Sequence, residues 1–301
     1  MLMEAGCKAE NWEYNSKGEP YRYQWKGSGF ILETGSCVPQ NYPKYLVPDE
    51  GNTTVFSTIE YQRVREVDAK MKTLSIDFTI TMRWLDSRIK KSRSQEIFLG
   101  PNAIDQIWIP NFHISNRTSF KPKDEWFSIV SARIMDDGET CMLLGLSNDD
   151  CDDTTSTGVR IQYEIKTSVF CPFGYSEYPM DHQNCTISFG SGSRGAIFTL
   201  FDRKGIHHST DTYEAANFEI TVNFFDKKLT TGQNTIGMEI GLTRLSNSYI
   251  MMYYVPSILI VLVSEIGFVV PVTAIPGRIG LLVTQFLTLI NLFIHQMVSY
   301  R

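Results

Sequence analysis

Two clusters of polar residues in this sequence have side chains that could bind a metal ion. The stretch GIHHSTD holds His207, His208 and Asp211, and imidazole beside a carboxylate could bind zinc or sense protons. Consecutive side chains converge on one ion only where a loop bends, so an ordinary solvated loop is the alternative. Around Cys151, an acidic cluster could attract calcium or form a solvated, disulfide-linked loop. Its members are Asp149, Asp150, Asp152 and Asp153. Neither pattern is strong enough to predict a metal site.

The sequence lacks the motifs of an enzyme. It contains no nucleophile elbow, no paired-carboxylate motif and no phosphate-binding loop, so we expect neither catalysis nor a cofactor. The formal net charge of -5 leaves no basic excess for a nucleic-acid partner. Nearly all of the charge lies before residue 246, whereas residues 249 to 298 are strongly apolar.

Six cysteines form an even set that is typical of disulfides. Cys171 and Cys185 are the most evident pair, and Cys141 and Cys151 bracket an acidic loop, which leaves Cys7 and Cys37 to pair by elimination. Six reduced thiols or a metal site are the alternatives, but no C-x-x-C spacing supports metal.

Three N-x-T triplets, at Asn52, Asn116 and Asn184, are potential glycosylation sites, although such triplets also occur by chance. Together with an oxidised cysteine set, they indicate an extracellular glycoprotein.

The polar part of the chain alternates apolar and polar residues with the period of β-strands. Clusters of Gly, Asn, Asp and Pro separate these segments at a spacing typical of sandwiches. We therefore predict an all-β, immunoglobulin-like antiparallel sandwich of about ten strands over residues 1–245. The clearest strand segments are FSTIEYQRVREV, TLSIDFTITMRW, SIVSARIM, VRIQYEIKTSVF, CTISFG, FEITVNFF and MEIGLTRL.

Residues 246–301 are predicted to form a second, α-helical transmembrane domain. A first helix over about 249–270 and a second over about 278–298 each have about the ~20 apolar residues that cross a bilayer. Pro256 and Glu265 interrupt the first span, and Glu265 should face protein, water or the interface. Buried core helices are the alternative, which two such segments so close together disfavour.

The second predicted span carries small, polar and apolar residues on one face. Spacings of three or four place them together on a helix. In several copies around an axis this stripe could line water, with Leu287 and Ile294 as apolar constrictions. Helix packing through small and polar residues is the alternative. The stripe consists of Gly280, Thr284, Leu287, Asn291, Ile294 and Val298.

Several motifs, in their order along the chain, resemble those of the Cys-loop receptors, the pentameric ligand-gated ion channels of animals. The loop from Cys171 to Cys185 matches the family's spacing and contains its aromatic-Pro-x-Asp run at Tyr178-Pro179-Met180-Asp181. The other matching residues are Trp84-Leu85-Asp86-Ser87-Arg88, Trp108-Ile109-Pro110-Asn111 (with Asn in place of the family's Asp), Arg244, Tyr249, Pro256-Ser257 and the stretch IPGRIGLLVTQFLTL.

The resemblance implies a multi-pass subunit of the plasma membrane with an extracellular N-terminal domain. It implies assembly into a homopentamer or a heteropentamer, contact with membrane lipid, and opening of the pore by a small-molecule or ionic agonist bound between subunits. The family has four membrane helices, of which this sequence contains the first two.

The ligand site departs from the family pattern. By position, the aromatic box of the family corresponds to Thr79, Ser115 and Gly192, none of which is aromatic. Each cation–π contact to an aromatic residue at these positions would have contributed roughly 0.5–2 kcal/mol to binding. Their loss argues against an acetylcholine-type site. Three other residues are candidates for contact with the ligand, and ordinary sandwich packing is their alternative role. These are Arg133, Phe224 and Phe225.

The resemblance also favours anion selectivity. The family's cation channels carry a Glu before the basic residue at the inner mouth, whereas this chain has Pro276-Gly277-Arg278 and no acidic residue from 266 to 301. The pattern is similar to that of invertebrate chloride-channel subunits. His295 could add pH-dependent charge near the outer end, or could be an ordinary interfacial residue.

By the same resemblance, the Cys171–Cys185 loop lies where the sandwich meets the membrane helices. We expect Asp181 to contact Arg244, the turn at Asp68 to lie alongside, and Tyr178, Pro179 and Met180 to face the helices. This region would couple ligand binding to gating. Two other functions stay open from the sequence: a cation-permeable channel of the same family, and a non-conducting ligand-binding protein of the same fold.

Overall fold

A computed structural model describes most of the chain. It covers residues 8–14, 20–33, 36–39, 42–48, 53–91, 95–118, 126–145, 156–192, 195–201, 213–215, 218–228, 234–271 and 273–299. Fifteen strands in three sheets precede the two long C-terminal helices within these residues. The predicted order, an all-β sandwich followed by membrane-type helices, is confirmed.

The central sheet has six strands and contains the longest hairpin of the molecule. Its members are β4 (Thr53–Asp68), β5 (Thr73–Asp86), β7 (Ile97–Phe98), β9 (Trp126–Ile134), β10 (Thr157–Phe170) and β12 (Ala196–Leu200). They lie in the order β12-β4-β5-β10-β9-β7, and all neighbours are antiparallel except β12 and β4.

A five-stranded sheet packs against the central sheet. It consists of β8 (Phe112–Ile114), β11 (His182–Ser191), β13 (Tyr213–Ala215), β14 (Phe218–Lys228) and β15 (Asn234–Arg244), in the order β13-β14-β15-β11-β8. A third sheet contains β1 (Lys8–Tyr14), β2 (Pro20–Glu33), β3 (Ser36–Pro39) and β6 (Lys90–Lys91), in that order.

Apolar and polar residues alternate along β5, so the strand has one apolar face and one polar face. One face of β5 is apolar and fully buried in the core between the sheets, while the other face is polar. Successive side chains of a strand point to opposite faces, so the sequence pattern sets this division. The core face carries Leu74, Ile76, Phe78, Ile80 and Met82, all at 0% exposure.

The two sheets of the sandwich are joined by packing and by a covalent bond. The rings of Phe78 and Phe189 meet edge to face, with centroids 5.4 Å apart. Cys171, immediately after β10, forms a disulfide with Cys185 on β11, with their Cα atoms 5.0 Å apart. The predicted Cys171–Cys185 disulfide is confirmed.

The end of β5 is held by a buried ion pair in the WLDSR stretch. Arg88 is 1% exposed and forms two hydrogen bonds with Asp86, Nε to Oδ1 at 2.8 Å and Nη2 to Oδ2 at 2.7 Å. The Tyr42 hydroxyl donates to Asp86 Oδ2 and accepts from the backbone N–H of Trp108. Such a pair is costly to break singly, because the remaining charge would stay buried.

The predicted strand count of about ten is lower than the fifteen observed. Five of the seven strand segments named from alternation lie within observed strands, and the other two, SIVSARIM and MEIGLTRL, each extend one residue beyond theirs. Six of the strands that were not named have two to five residues and are too short to show a period, whereas β1 and β2, of 7 and 14 residues, were missed despite their length. Two short helices, α1 (Pro101–Ile104) and α2 (Asp137–Leu144), were also not predicted. Helix α2 begins at Asp136, whose side chain accepts a hydrogen bond from the Glu139 N–H.

After β15, the chain becomes helical. It forms α3 (Asn247–Tyr249), a π-helical turn (Ile250–Tyr254), α4 (Val255–Val269) and, after a linker, α5 (Ile275–Ser299). Pro256 explains the π-helical turn, because proline lacks an N–H and its ring displaces the carbonyl of the preceding turn. The second helix begins at Ile275 rather than at about 278, since Pro276 is well tolerated in a first helical turn.

Two segments, Ile250–Val269 and Ile275–Ile294, are long and apolar enough to cross a membrane, and neither is buried in the single chain. Twenty helical residues span roughly 30 Å, the thickness of a bilayer's hydrocarbon core.

Candidate functional site

The sandwich meets the first long helix at an ion pair between Arg244 and Asp181. Arg244 ends β15, and Asp181 lies immediately before β11. The Arg244 Nε donates to Asp181 Oδ1 at 2.6 Å and Nη2 donates to Oδ2 at 3.1 Å, while the Arg244 N–H donates to the Asp181 carbonyl. Their side chains are only 7% and 2% exposed. A two-point pair of this kind fixes both distance and orientation.

The electrostatics of the pair keep both groups charged. Burial raises the pKa of Asp181, but hydrogen bonds from Arg244 and Gln183 outweigh burial and bring that pKa below its ordinary value. Burial likewise lowers the pKa of Arg244, and Asp181 more than reverses this effect. The Gln183 side chain donates to Asp181 Oδ2 at 2.7 Å and also bonds the backbone of Gly174.

Aromatic rings enclose the Arg244 guanidinium. Its central carbon lies 4.5 Å from the ring centroid of Phe218, 5.1 Å from that of Tyr178 and 5.7 Å from that of Tyr249. Tyr178 and Tyr249 also meet edge to face, with centroids 5.6 Å apart. Since Tyr178 lies in the disulfide-closed loop and Tyr249 in α3, the loop contacts the start of the membrane-type helix directly. Met180 is 57% exposed at the loop surface.

The turn between β4 and β5 lies alongside the same loop. Asp68 Oδ1 accepts from the N–H groups of Lys70 and Met71, so Asp68 shapes the turn. The Tyr175 hydroxyl donates to the Ala69 carbonyl at 2.5 Å, and the Cys171 N–H donates to the Lys72 carbonyl at 2.8 Å. We name this set of contacts between the β4–β5 turn, the 171–185 loop, Arg244 and Tyr249 the joint.

The predicted stripe on the second helix lies on the side that faces away from α4. Its members Gly280, Thr284, Leu287, Asn291 and Ile294 are exposed in the single chain. The side chain of Val298 lies outside the described part of the structure. The partly buried side of α5 lies elsewhere on the helix. It includes Arg278, Leu281, Gln285 and Leu292. At 100° per residue, the centres of the two sets lie about 130° apart around the helix.

The predicted selectivity residues lie at the start of α5. Pro276 and Gly277 are exposed, whereas Arg278 is partly buried between the two long helices. The Arg278 Nε donates to the Gly267 carbonyl on α4 at 3.4 Å. Arg278 therefore ties the helices together near the linker, on the side opposite the stripe.

The predicted ligand residues are divided between the two sheets of the sandwich. Thr79, on β5, is 5% exposed and accepts a hydrogen bond from Gln62. The other candidates lie mainly on or next to the five-stranded sheet. Ser115 follows β8, and Gly192 follows β11 and donates its N–H to the Asn111 carbonyl. Phe224 and Phe225 lie on β14, and only Arg133, on β9, shares a sheet with Thr79.

Three arginines form a cross-strand row on the polar face of the central sheet. Arg160 on β10 lies opposite Arg83 on β5 and opposite Arg133 on β9. Glu139 Oε1 accepts from Arg83 at 3.1 Å and from Arg160 at 3.2 Å, and Glu96 pairs with Arg133. Burial, with the neighbouring arginines, lowers the pKa of Arg83, while Glu139 opposes the shift.

The arginine row carries more donors than its carboxylates accept. The buried Nε atoms of Arg133 and Arg160 have no hydrogen-bond partner among the described residues. Three guanidinium groups against two carboxylates leave one positive charge. This row could therefore bind an anionic group.

Only some of the predicted glycosylation, disulfide and metal-binding residues lie within the described part of the structure. Asn116 and Asn184 are exposed. Cys37 and Cys141 are both disulfide-bonded. Their predicted partners Cys7 and Cys151 lie outside the described residues, as do Asn52, His207, His208, Asp211 and the acidic cluster around Cys151. Within the part that the structure describes, no group of three His, Cys, Asp or Glu side chains could hold a metal.

Comparison with known proteins identifies the class to which this fold and joint belong. A model of the neurotransmitter-gated ion-channel ligand binding domain matches residues 37–196, more than half of the chain. The chain belongs to this family, that of the Cys-loop receptor subunits, which are ligand-gated channels and not enzymes. It is 24% identical over 293 residues to the gamma-aminobutyric acid receptor subunit gamma-1 of Homo sapiens. The match covers 88% of this chain and 55% of that subunit, so the chain spans about half the relative's length.

Sequence reasoning missed several contributors to these sites. Tyr175 and Phe218 both contribute contacts at the joint. In the sequence, Tyr175 is one loop tyrosine among several and Phe218 is one strand residue among many, so neither carries a distinguishing motif. The arginine row was visible only as Arg133, because its members come from three separate strands. Alternating arginines on the polar face of predicted strands were the available signal.

Proposed function

We propose that this chain supplies the extracellular domain and first two membrane helices of a subunit of a pentameric ligand-gated ion channel. The observation that carries the proposal is the joint, where Asp181 in the disulfide-closed loop is bonded at two points to Arg244. A ligand-driven movement of the sandwich would reach the membrane helix through this rigid contact. The domain division falls at 245/246, between β15 and α3.

The second helix supplies the pore in this proposal. The exposed stripe from Gly280 to Ile294 contains Asn291, whose side-chain amide needs a polar or aqueous environment that lipid does not offer. A ring of copies around a central axis provides one, and the opposite side of α5 is already occupied by α4. Leu287 and Ile294 then form apolar constrictions that close by dewetting.

The agonist binds between subunits in this proposal. Thr79 and Arg133 belong to the central sheet, whereas Ser115, Gly192, Phe224 and Phe225 belong mainly to the other sheet or its ends. The faces of two neighbouring copies would bring the two sets to a common ligand. The arginine row, with Arg83 and Arg160 beside Arg133, would recognise an anionic group of a small-molecule agonist.

We further propose that the pore selects anions. The start of α5, Pro276-Gly277-Arg278, carries positive charge, and the sequence from 266 to 301 contains no acidic residue. Similarity to a subunit named as a gamma-aminobutyric acid receptor is consistent with the anion-channel branch. Because Arg278 bonds Gly267, its charge would act on the inner mouth from behind the stripe.

The proposed location is the plasma membrane, with the sandwich outside the cell. The disulfides and the exposed triplets at Asn116 and Asn184 fit an extracellular, glycosylated domain. In a homopentamer five copies of the stripe would surround the pore, and in a heteropentamer related subunits would supply the remaining positions.

Recording current from cells that express the complete coding sequence tests the proposal. Gamma-aminobutyric acid, other small amino acids and amines, zinc and acid steps would be applied in turn, and the chloride and sodium gradients varied separately. We expect an agonist-evoked current whose reversal potential follows chloride. A reversal potential that follows sodium would contradict anion selectivity. A pentamer at the cell surface that never conducts would contradict the channel function.

A further inference from the structure

A pocket of about 380 Å³ lies between the disulfide-closed loop and the first long helix. Its volume is in the range of pockets that bind small ligands. The loop contributes Tyr178 and Pro179, and the helix contributes the rest. The helical residues are Tyr249, Tyr253, Tyr254 and Ser257. We name it the tyrosine pocket.

The position of the tyrosine pocket corresponds to the polar headgroup level of a membrane. The segment long enough to cross a bilayer begins at Ile250, one residue after Tyr249, and Ser257 lies two helical turns further along. Tyrosine is enriched at this depth because its ring is apolar and its hydroxyl is polar. The pocket is therefore open to lipid headgroups rather than to acyl chains alone.

The chemistry of the lining suits a quaternary ammonium group. Four phenol rings line the pocket, and aromatic faces attract cations electrostatically. Tyr249 and Tyr253 stack with centroids 6.3 Å apart, and Tyr254 is 48% exposed. Two rings of the same pocket, those of Tyr178 and Tyr249, already hold the Arg244 guanidinium at 5.1 and 5.7 Å.

The charges around the pocket favour a zwitterionic ligand over a ligand with a net charge. The lining itself contains no ionised side chain, and the nearest guanidinium, on Arg244, is paired with Asp181 at two points. A headgroup of net negative charge finds no unpaired cation there. A zwitterion can place its ammonium group on the rings while its phosphate stays near the hydroxyl groups and water.

We propose that the tyrosine pocket binds the phosphocholine headgroup of a lipid in the outer leaflet. The bound headgroup would contact Tyr178 of the loop and Tyr249 of the helix together, and so would stabilise the joint. This inference rests on the proposed placement of α4 in a membrane. It makes the lipid a ligand of the element that couples the two domains.

Photolabelling of the purified, complete protein in vesicles tests this inference without measuring current. The probe is phosphatidylcholine with a photoreactive group on its choline headgroup, and the labelled residues are identified by mass spectrometry. We expect labelling of the segment that contains Tyr253 and Tyr254. Excess phosphatidylcholine should reduce the labelling, whereas phosphatidylglycerol and free choline chloride at the same concentration should not.

Matched variants test whether labelling depends on an aromatic ring in the pocket. Tyr254→Leu should lower labelling about two- to fivefold, because a cation–π contact at a half-exposed ring is lost, while Tyr254→Phe, which keeps a ring, should retain most of it. Phe268→Leu, at the other end of α4, is the control for general lipid contact and should change nothing at the pocket. Size-exclusion profiles show whether each variant is folded.

Three outcomes would overturn the inference. Equal labelling along the whole of α4 would indicate ordinary lipid contact, equal competition by free choline would indicate a soluble cation site, and loss of labelling in Tyr254→Phe would exclude a role for the ring. Because labelling needs no current, a labelled protein that never conducts would contradict only the proposed channel. A conducting protein without labelling at the pocket would contradict only the lipid site.

Discussion

Arg244 and Asp181 lie 63 residues apart in sequence and form a two-point ion pair at the boundary between the sandwich and the membrane-type helices. The pair lies under the rings of Tyr178, Tyr249 and Phe218, so one guanidinium contacts the disulfide-closed loop, the first helix and the five-stranded sheet. One side chain thus links three elements of the structure. This arrangement is the physical basis for a coupling role.

Breaking the ion pair on one side should destabilise the protein and impair gating or assembly. Asp181→Ala or Arg244→Ala would leave an unpaired charge in a nearly closed site, at a cost of about 3–5 kcal/mol. Surface expression and agonist-evoked current measure the outcome. The double variant Asp181→Ala with Arg244→Ala should lose less than the sum of the two.

The matched control for the ion pair is Glu164→Ala. Glu164 pairs with Lys166, but their side chains are 33% and 36% exposed, and exposed pairs contribute roughly 0–1 kcal/mol. Normal currents in both single variants of the buried pair would refute its coupling role.

Removing one hydroxyl should loosen the contact between the β4–β5 turn and the loop. Tyr175→Phe deletes the hydrogen bond to the Ala69 carbonyl and should cost about 0.5–1.5 kcal/mol. We expect a several-fold shift of the agonist concentration for half-maximal current, with surface expression unchanged. Tyr45→Phe, at a site that is 86% exposed, should leave the response unaltered. An identical shift in both variants would rule out a specific role for Tyr175.

The pH dependence of the pair follows from its pKa shift. Arg244 and Gln183 lower the pKa of folded Asp181, so its contribution to stability is present above the unfolded value of about 3.9 and is lost as pH falls through the folded value. The difference in Tm between the parent protein and Asp181→Asn should therefore be constant from about pH 5 to 8 and shrink below about pH 4. A difference that shrinks between pH 5 and 7 would show that a group other than Asp181 controls the pH dependence.

Reduction of the loop disulfide should weaken the joint without removing its charges. Cys171→Ser with Cys185→Ser opens a cross-link that contributes roughly 3 kcal/mol in the chain-entropy account. We expect lower Tm and lower surface expression, measured against the single-residue control Thr186→Ser on the same strand. Unchanged thermal stability would show that packing alone holds the loop.

The sequence predicted those features that depend on local pattern or on short spacing. Strands β4, β5 and β10 alternate over many residues, and the Cys171–Cys185 pair is set by a close, unambiguous spacing. Helix α2 was missed although Asp136 and Glu139 have the spacing of a capped helix start, because the segment is short. Arg83, Arg160 and Arg133 all lie on predicted strands, but their alignment in one row could not be predicted, since it depends on the register between three strands, and register follows from turns and bulges.

The tyrosine pocket was unpredictable for a related reason. Tyr178 and Tyr249 are distant in sequence, and the π-helical turn before Pro256 determines which helical tyrosines face the loop. A change of one residue in that turn rotates a side chain by about 100°.

The exposed stripe of α5 lines the ion pathway in the proposed channel. Aqueous thiol-reagent accessibility during agonist-evoked current tests that claim directly, with cysteine introduced at Thr284, Leu287 or Asn291 and, on the side facing α4, at Leu281 or Gln285. The described native cysteines are all disulfide-bonded, so they add no background reaction. We predict that the reagent blocks current in the first three variants and leaves the other two unaffected. Block at Leu281 and Gln285 with none at Thr284, Leu287 and Asn291 would contradict the account.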